Sequence, residues 1–166
     1  RLVGSEMCIR DSIDALLHNA GILGPKTSIE QYDSDAWQTV MQVNVTAPFM
    51  LTQSLLPLLR KADDASVVFT SSGVAGHGRA YWGAYAASKS ASDNLMQTLA
   101  DEFSETPNIR FNAINPGATR TNMRASAYPA ENPNSLPAPE EHLAQYLYLL
   151  GPASKGVSGE IFAISR

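Results

Sequence analysis

Four short apolar runs, at residues 13–17, 66–71, 109–114 and 160–164, are separated by three longer stretches whose apolar side chains recur every three or four positions. This alternation constrains the fold more than any other feature of the chain. Strands that are apolar along their whole length need cover on both faces, and helices placed between successive strands supply it. The order strand, helix, strand, helix, strand, helix, strand therefore predicts an α/β fold, a doubly wound parallel sheet with right-handed crossovers.

Punctuation fixes the elements more closely. The first run ends in His18-Asn19-Ala20-Gly21, which reads as a turn, and a loop follows through Gly24 and Pro25. Asp33 or Ser34 can cap a helix over residues 34–60, in which Trp37, Val40, Met41, Asn44 and Val45 share a face. Pro48 lies inside that helix and has no N–H, so it should bend the helix or open its hydrogen bonding near Asn44. Four glycines mark residues 72–83 as a loop. A second helix, over residues 84–104, begins with small residues (Ala84, Ala86, Ala87, Ser88, Ala91) suited to close packing, and Pro107 follows its end. Residues 115–138 contain Pro116, Pro129, Pro133 and Pro137 and read as a long irregular segment, the kind that often serves as a lid. Pro139, Glu140 and Glu141 open a third helix whose buried stripe is expected at Leu143, Tyr146, Leu147 and Leu150.

Composition excludes several classes. The 166 residues are enough for one domain, and the net charge of −4 gives no reason to expect nucleic acid or an anionic membrane as partner. No apolar run approaches the ~20 residues of a membrane span, and no apolar segment of a signal peptide follows Arg1. Cys8 is the single cysteine, so an internal disulfide is impossible and a reducing, cytoplasmic setting is expected. The three histidines lack metal-ligand spacing, and no metal site is expected. Residues 1–12, RLVGSEMCIRDS, share no periodicity with residues 13–166 and resemble translated sequencing-adapter sequence; the plain alternative is a disordered terminus, and either way no function is expected there.

Chemistry gathers in the middle of the chain. Tyr85 and Lys89 stand four apart near the start of a helix and so share a face. A lysine cation favours the phenolate, which lowers the tyrosine pKa and suits the phenol to proton exchange near neutrality. The spacing alone better describes a packing tyrosine beside an exposed lysine. Position adds weight: Asn19, Ser72 and Asn115 each follow the end of a predicted strand, and Tyr85 opens the helix after Ser72. Ligands of parallel α/β sheets bind outside the carboxyl ends of the strands, so these residues should converge on one rim. His77, Arg79 and Trp82 could line a substrate pocket. Arg120 and Arg124 flank the irregular segment and could receive an anionic substrate, and His142 reads as helix surface.

These residues carry a resemblance to the short-chain dehydrogenase/reductase family over residues 13–164. His18-Asn19-Ala20-Gly21 resembles the family's Asn-Asn-Ala-Gly turn. Asn44, Ser72 in its Ser-Ser pair with Ser71, and Tyr85-Ala86-Ala87-Ser88-Lys89 match its catalytic tetrad, and Asn115-Pro116-Gly117 continuing to Thr121 and Met123 matches the segment that closes over the nicotinamide. Residues 119–124 are similar to a branch of bacterial members described only as uncharacterised oxidoreductases. The resemblance implies a Rossmann-like fold and hydride transfer between NADP or NAD, with NADP favoured, and a carbonyl or alcohol. Tyr85 would be the general acid/base, and Lys89 would bind the nicotinamide ribose and depress the Tyr85 pKa. Ser72 would polarise the substrate oxygen, and Asn44 would hold a water linking Lys89 to solvent. Asn19, Ala20 and Gly21 would pass the adenosine side of the cofactor, and Pro116, Gly117, Thr119 and Thr121 its nicotinamide. A homodimer or homotetramer paired through helices 34–60 and 84–104 is also implied. A non-catalytic nucleotide-binding or scaffold protein on the same fold is the alternative, and the complete tetrad argues against it.

One departure stands out. The family opens with a strand followed by Thr-Gly-x-x-x-Gly-x-Gly, whose backbone and helix dipole hold the pyrophosphate. Here the only glycine before Gly21 is Gly4. The expectation is that residues 13–166 form the C-terminal catalytic portion of one such domain, its strands four to seven. Three preceding strand–helix units, about 90 residues at about 30 per unit, would be missing. The strand at 13–17 would then be a long apolar edge, and the 166-residue polypeptide is expected to bind nicotinamide cofactor poorly.

Overall fold

The computed structural model describes residues 12–164. The stretch set apart at 1–12, Cys8 included, lies outside them except for Ser12. Four strands, β1 (Ala15–His18), β2 (Ala65–Thr70), β3 (Ile109–Asn115) and β4 (Ile161–Ala163), form one parallel sheet in the order β1-β2-β3-β4. Leu17 pairs with Val68, Phe69 with Ala113 and Ile114 with Phe162, which sets the register.

Alternation along β2 and β3 sends side chains to two cores. Val67, Phe69, Phe111 and Ala113 pack with Leu59, Met96 and Phe103 from the helices on one face. Val68 and Ile114 pack with Leu149 on the other, where the Ser66 hydroxyl donates to the Leu149 carbonyl at 2.6 Å. The doubly wound parallel α/β fold expected from the sequence is thus the one observed. Burial along the strand, up to its last residue, holds for β2 and β3 alone among the described strands. Among the described strands β1 and β4 each have a single neighbour, and Leu17 and Ile161 are 38% and 41% exposed.

Helix 34–60 consists of α1 (Ser34–Met41), a wide π turn (Gln42–Thr46) and α2 (Ala47–Leu59). Asp33 caps it, accepting from the Ala36 N–H at 2.8 Å. The π turn falls where Pro48 cannot donate to the carbonyl of Asn44, four residues back, and so has a direct covalent cause. The second helix, α3 (Gly83–Glu102), matches its expectation closely. The segment 115–138 is less irregular than its prolines suggest, because Thr121 caps a short helix, α4 (Asn122–Ala127), by accepting from the Arg124 N–H. The last helix, α5 (Leu143–Leu150), is rotated from its expected stripe: Leu149 is buried, while Leu143 and Leu147 are 54% and 68% exposed. Its rotation follows from His142, which was expected on the surface but is buried with Nε2 3.0 Å from the Thr119 hydroxyl. With His142 turned inward, the inner face of the helix follows positions 142, 146 and 149. Among the described residues no helix is long and apolar enough to cross a membrane.

Candidate active site

The site lies at the carboxyl ends of β1, β2 and β3, as expected for a parallel sheet. Lys89, on the second turn of α3, is 5% exposed and donates from Nζ to the Thr70 carbonyl at 2.7 Å. Ser71, the next residue, donates its hydroxyl to Asp93 Oδ2 at 2.6 Å. These two bonds fasten α3 to the end of β2 and so set Ser72, at the strand's exit, against Tyr85, at the helix's entry. The Ser72 side chain opposes the rise in the Tyr85 pKa, and Lys89 Nζ stands 5.9 Å from the centre of the Tyr85 ring.

Asn44 reaches the same place from the π turn. It is 2% exposed, its amide donates to the Ile22 carbonyl and the Ser88 hydroxyl, and its Oδ1 accepts from the Ile22 N–H, each at 2.9 Å. Ser88 in turn donates to the Tyr85 carbonyl at 2.8 Å. Asn44 therefore brackets the loop after β1 against the helix bearing Tyr85 and Lys89. Gly21 lies in that loop, and a Cβ there would stand 3.3 Å from Asn44 Oδ1 and 3.6 Å from Lys89 Nζ. The first distance is tight, so a side chain here would press on the Asn44 amide, while the second is ordinary contact.

Electrostatics depart from the sequence expectation in one respect. Lys89 was expected to pull the Tyr85 pKa down. Burial instead raises it, and the opposing influence is the Ser72 side chain. The reason is geometric: the Lys89 ammonium points at Thr70, and its own pKa is lowered to about 8 by burial, partly restored by the charge of Asp93. Burial likewise raises Asp93, against the Ser71 hydrogen bond and the Lys89 charge, and its Oδ1 is buried without a partner. Asp93 escaped the sequence reading. The available signal was its spacing, four residues beyond Lys89 and so on the same face of α3.

The remaining expected residues fall around this centre. Asn19 and Ala20 are exposed at the exit of β1, where Asn19 accepts from the Thr70 hydroxyl at 3.3 Å. Asn115 accepts from the Gly117 N–H at 3.0 Å, with Gly117 at φ +69° completing a tight turn after Pro116. Thr119 is bound to His142, and the Thr121 hydroxyl is engaged in capping α4, which leaves backbone groups as their free contacts with a ligand. Trp82 is buried beside Tyr85, ring centres 5.9 Å apart, whereas His77 is plain exposed loop. Arg124 clasps Glu131 with two hydrogen bonds of 2.6 and 2.7 Å, and Arg120 is exposed.

One buried donor set describes what this rim can hold. An ammonium has three N–H donors, and Lys89 uses one of them on Thr70. Two remain, next to the Gly21 backbone, and they suit the adjacent hydroxyls of a ribose. The residues present thus fit a nucleotide cofactor on this side of the rim.

Comparison with known proteins agrees. The family model for short chain dehydrogenase matches residues 4–132. The uncharacterized oxidoreductase YciK of Escherichia coli (strain K12) is 53% identical over 150 residues, 90% of this chain and 59% of that protein. The chain therefore spans about three fifths of that curated relative. The crystal structure of a short chain dehydrogenase from Escherichia coli CFT073 complexed with NADPH superposes with a TM-score of 0.90 at 51% identity, covering 98% of this chain and 67% of the other. A short chain dehydrogenase from Shigella flexneri complexed with NADP gives 0.90 at 49% identity, over the same shares of the two chains. The match of the family model over residues 4–132 and these likenesses show that the chain belongs to the short-chain dehydrogenase family.

Proposed function

We propose that this chain carries the catalytic centre of an NADP(H)-dependent oxidoreductase that interconverts a carbonyl compound and its alcohol. The observation that carries the reading is the buried Lys89 ammonium, held by the Thr70 carbonyl 5.9 Å from the Tyr85 ring, with Ser72 at the exit of β2, on the rim where parallel sheets bind ligands. When bound, the nicotinamide supplies the hydride for reduction or accepts it in oxidation. Tyr85 Oη gives its proton to the carbonyl oxygen, or takes it from the alcohol. A tyrosine whose pKa burial has raised stays protonated near neutrality and so has the proton to give, and the Lys89 charge beside it stabilises the phenolate left behind. Ser72 also donates to the substrate oxygen as charge develops on it. Lys89 presents its two remaining donors to the ribose of the cofactor, and its charge opposes the rise in the Tyr85 pKa once both face the same ligand. Asn44 holds the loop at Gly21 at the distance this requires. Preference for NADP over NAD rests on the two relatives crystallised with NADPH and NADP.

The polypeptide of 166 residues contains no glycine-rich phosphate turn, so by itself it binds NADPH weakly. A micromolar dissociation constant by calorimetry would overturn that. For the chemistry, residues 13–166 joined to the N-terminal part of the Escherichia coli relative should oxidise NADPH with a suitable ketone. Tyr85→Phe should then lower kcat by about 10²- to 10⁴-fold, the usual contribution of a general acid/base. Unchanged turnover in Tyr85→Phe would refute the role. Nucleotide binding without turnover of any carbonyl would favour the scaffold alternative. Phe49, Met50 and Leu51 on α2, each 44–53% exposed, support pairing of two copies through that helix.

A further inference from the structure

Three cations crowd two aromatic rings beside Tyr85. Lys26 Nζ lies 4.6 Å from the centre of the Trp82 ring and 4.9 Å from that of Tyr128. The Arg79 guanidinium lies 5.6 and 5.7 Å from the same two rings, and Arg124 stacks at 3.8 Å on Tyr128. Trp82 touches both Tyr85 and Tyr128, with ring centres 5.9 and 5.7 Å apart. The cluster is thus one ring contact from the proposed proton donor.

Its charges do not balance. Arg124 is paired with Glu131. Lys26 donates to the Ala127 carbonyl at 2.7 Å and Arg79 to the Tyr128 hydroxyl at 2.7 Å, and among the described residues neither has a carboxylate within ion-pair distance. Isolated surface cations commonly rest in water. Here two are held over the same pair of rings, each anchored by a neutral acceptor, so like charges are brought together with their remaining donors free. Lys26 comes from the loop after β1, Arg79 from the loop after β2, and Tyr128 from the end of α4. The elements that frame the rim therefore all contribute.

We propose that Lys26 and Arg79 receive a carboxylate on the substrate, so that the carbonyl compound handled at Tyr85 is a keto acid with its anion on the Trp82–Tyr128 side. This rests on the reading of Tyr85 as acid/base and adds the substrate class. The reaction balances as in any carbonyl reduction: the carbonyl carbon gains hydride from NADPH, its oxygen gains the Tyr85 proton, and the carboxylate is unchanged. A carboxylate suits the site because a guanidinium can meet both its oxygens, with an ammonium alongside.

The test uses the 166-residue chain with Trp37→Phe, which leaves Trp82 as its one tryptophan. Trp82 fluorescence is followed on titration with 4-acetylbenzoate and with 4-acetylbenzamide, which differ in charge and hardly in shape. The benzoate is expected to bind about tenfold more tightly, the equivalent of one charge-assisted hydrogen bond. The preference should shrink at about 0.5 M salt and vanish in Lys26→Met/Arg79→Met. Arg79→Lys should keep part of it, which separates lost charge from lost folding. Equal affinities, or a preference that survives in the double variant, would overturn the proposal. So would adenosine 2′-phosphate outcompeting the benzoate with the same dependence on Lys26 and Arg79, since the cations would then serve the cofactor. These outcomes are independent of turnover. Charge-selective binding alongside normal activity of Tyr85→Phe in the joined protein would refute the acid/base reading and leave the anion site standing.

Discussion

Replacing Asn44 with alanine tests the architecture of the site most directly. The side chain is 2% exposed and makes three hydrogen bonds of 2.9 Å, to the Ile22 N–H, the Ile22 carbonyl and the Ser88 hydroxyl. Alanine removes all three and leaves both backbone groups of Ile22 without partners, while Ser88 keeps its bond to the Tyr85 carbonyl. A typical intramolecular hydrogen bond contributes about 1 kcal/mol net, and each buried group left unpaired costs about 1–3 kcal/mol. Because Ile22 is only partly buried, water can reach it in part, and the sum settles at about 2–4 kcal/mol. In a chain of this size that lowers the melting temperature by roughly 5–15 °C. Urea unfolding followed by circular dichroism, at equal m-value, measures it. Asn44→Asp provides the contrast. The carboxylate can still accept from the Ile22 N–H but faces the Ile22 carbonyl with no proton to donate. At pH 7 it should be at least as damaging as alanine, and its defect should ease as the pH falls and the carboxyl protonates. A loss below about 1 kcal/mol in Asn44→Ala, or an Asn44→Asp defect indifferent to pH, would refute the view that this amide brackets the site.

Stability should also report on His18, which is buried between Thr52 (2.8 Å) and the ring of Phe69 (4.6 Å) and whose pKa burial lowers from 6.5 to about 4. The unfolded chain takes up this proton first, so the contribution is complete above pH 6.5 and is lost as pH falls toward 4, by roughly 3 kcal/mol at most; stability of His18→Gln should be flatter over that window, and equal slopes would contradict the assignment. Asp93→Asn removes the charge that supports the Lys89 ammonium and should lower the Lys89 pKa below its value of about 8, read from the Lys89 Cε chemical shift during a pH titration; an unmoved midpoint would show that the carboxylate serves Ser71 alone. Gly117→Ala places a Cβ at φ +69° and should cost about 1–2 kcal/mol by thermal unfolding, with no measurable cost if the turn after Pro116 can relax.

The sequence by itself determined the layered fold and singled out most of the residues that the fold gathers at the candidate site. Period-two and period-3.6 patterns are local, so the strands and helices could be read from spacing, and parallel topology followed from their order. Ser72, Tyr85 and Lys89 were legible because a strand end and a helix start are themselves legible and the sheet brings such ends to one rim. The π turn at Asn44 was likewise foreshadowed by Pro48, since the missing N–H is covalent. What tertiary structure decided was the direction of forces between elements. Leu143, Tyr146, Leu147, Leu149 and Leu150 offer α5 several apolar faces, and His142 meeting Thr119 selected one of them. The Tyr85 pKa turned upward because burial outweighs the influence of Ser72 while the lysine is aimed at Thr70, and neither burial nor aim is written in a four-residue spacing. Asp93 and Lys26 acquired their places through partners 22 and 101 residues away in the chain, and no local pattern encodes contacts that only folding creates.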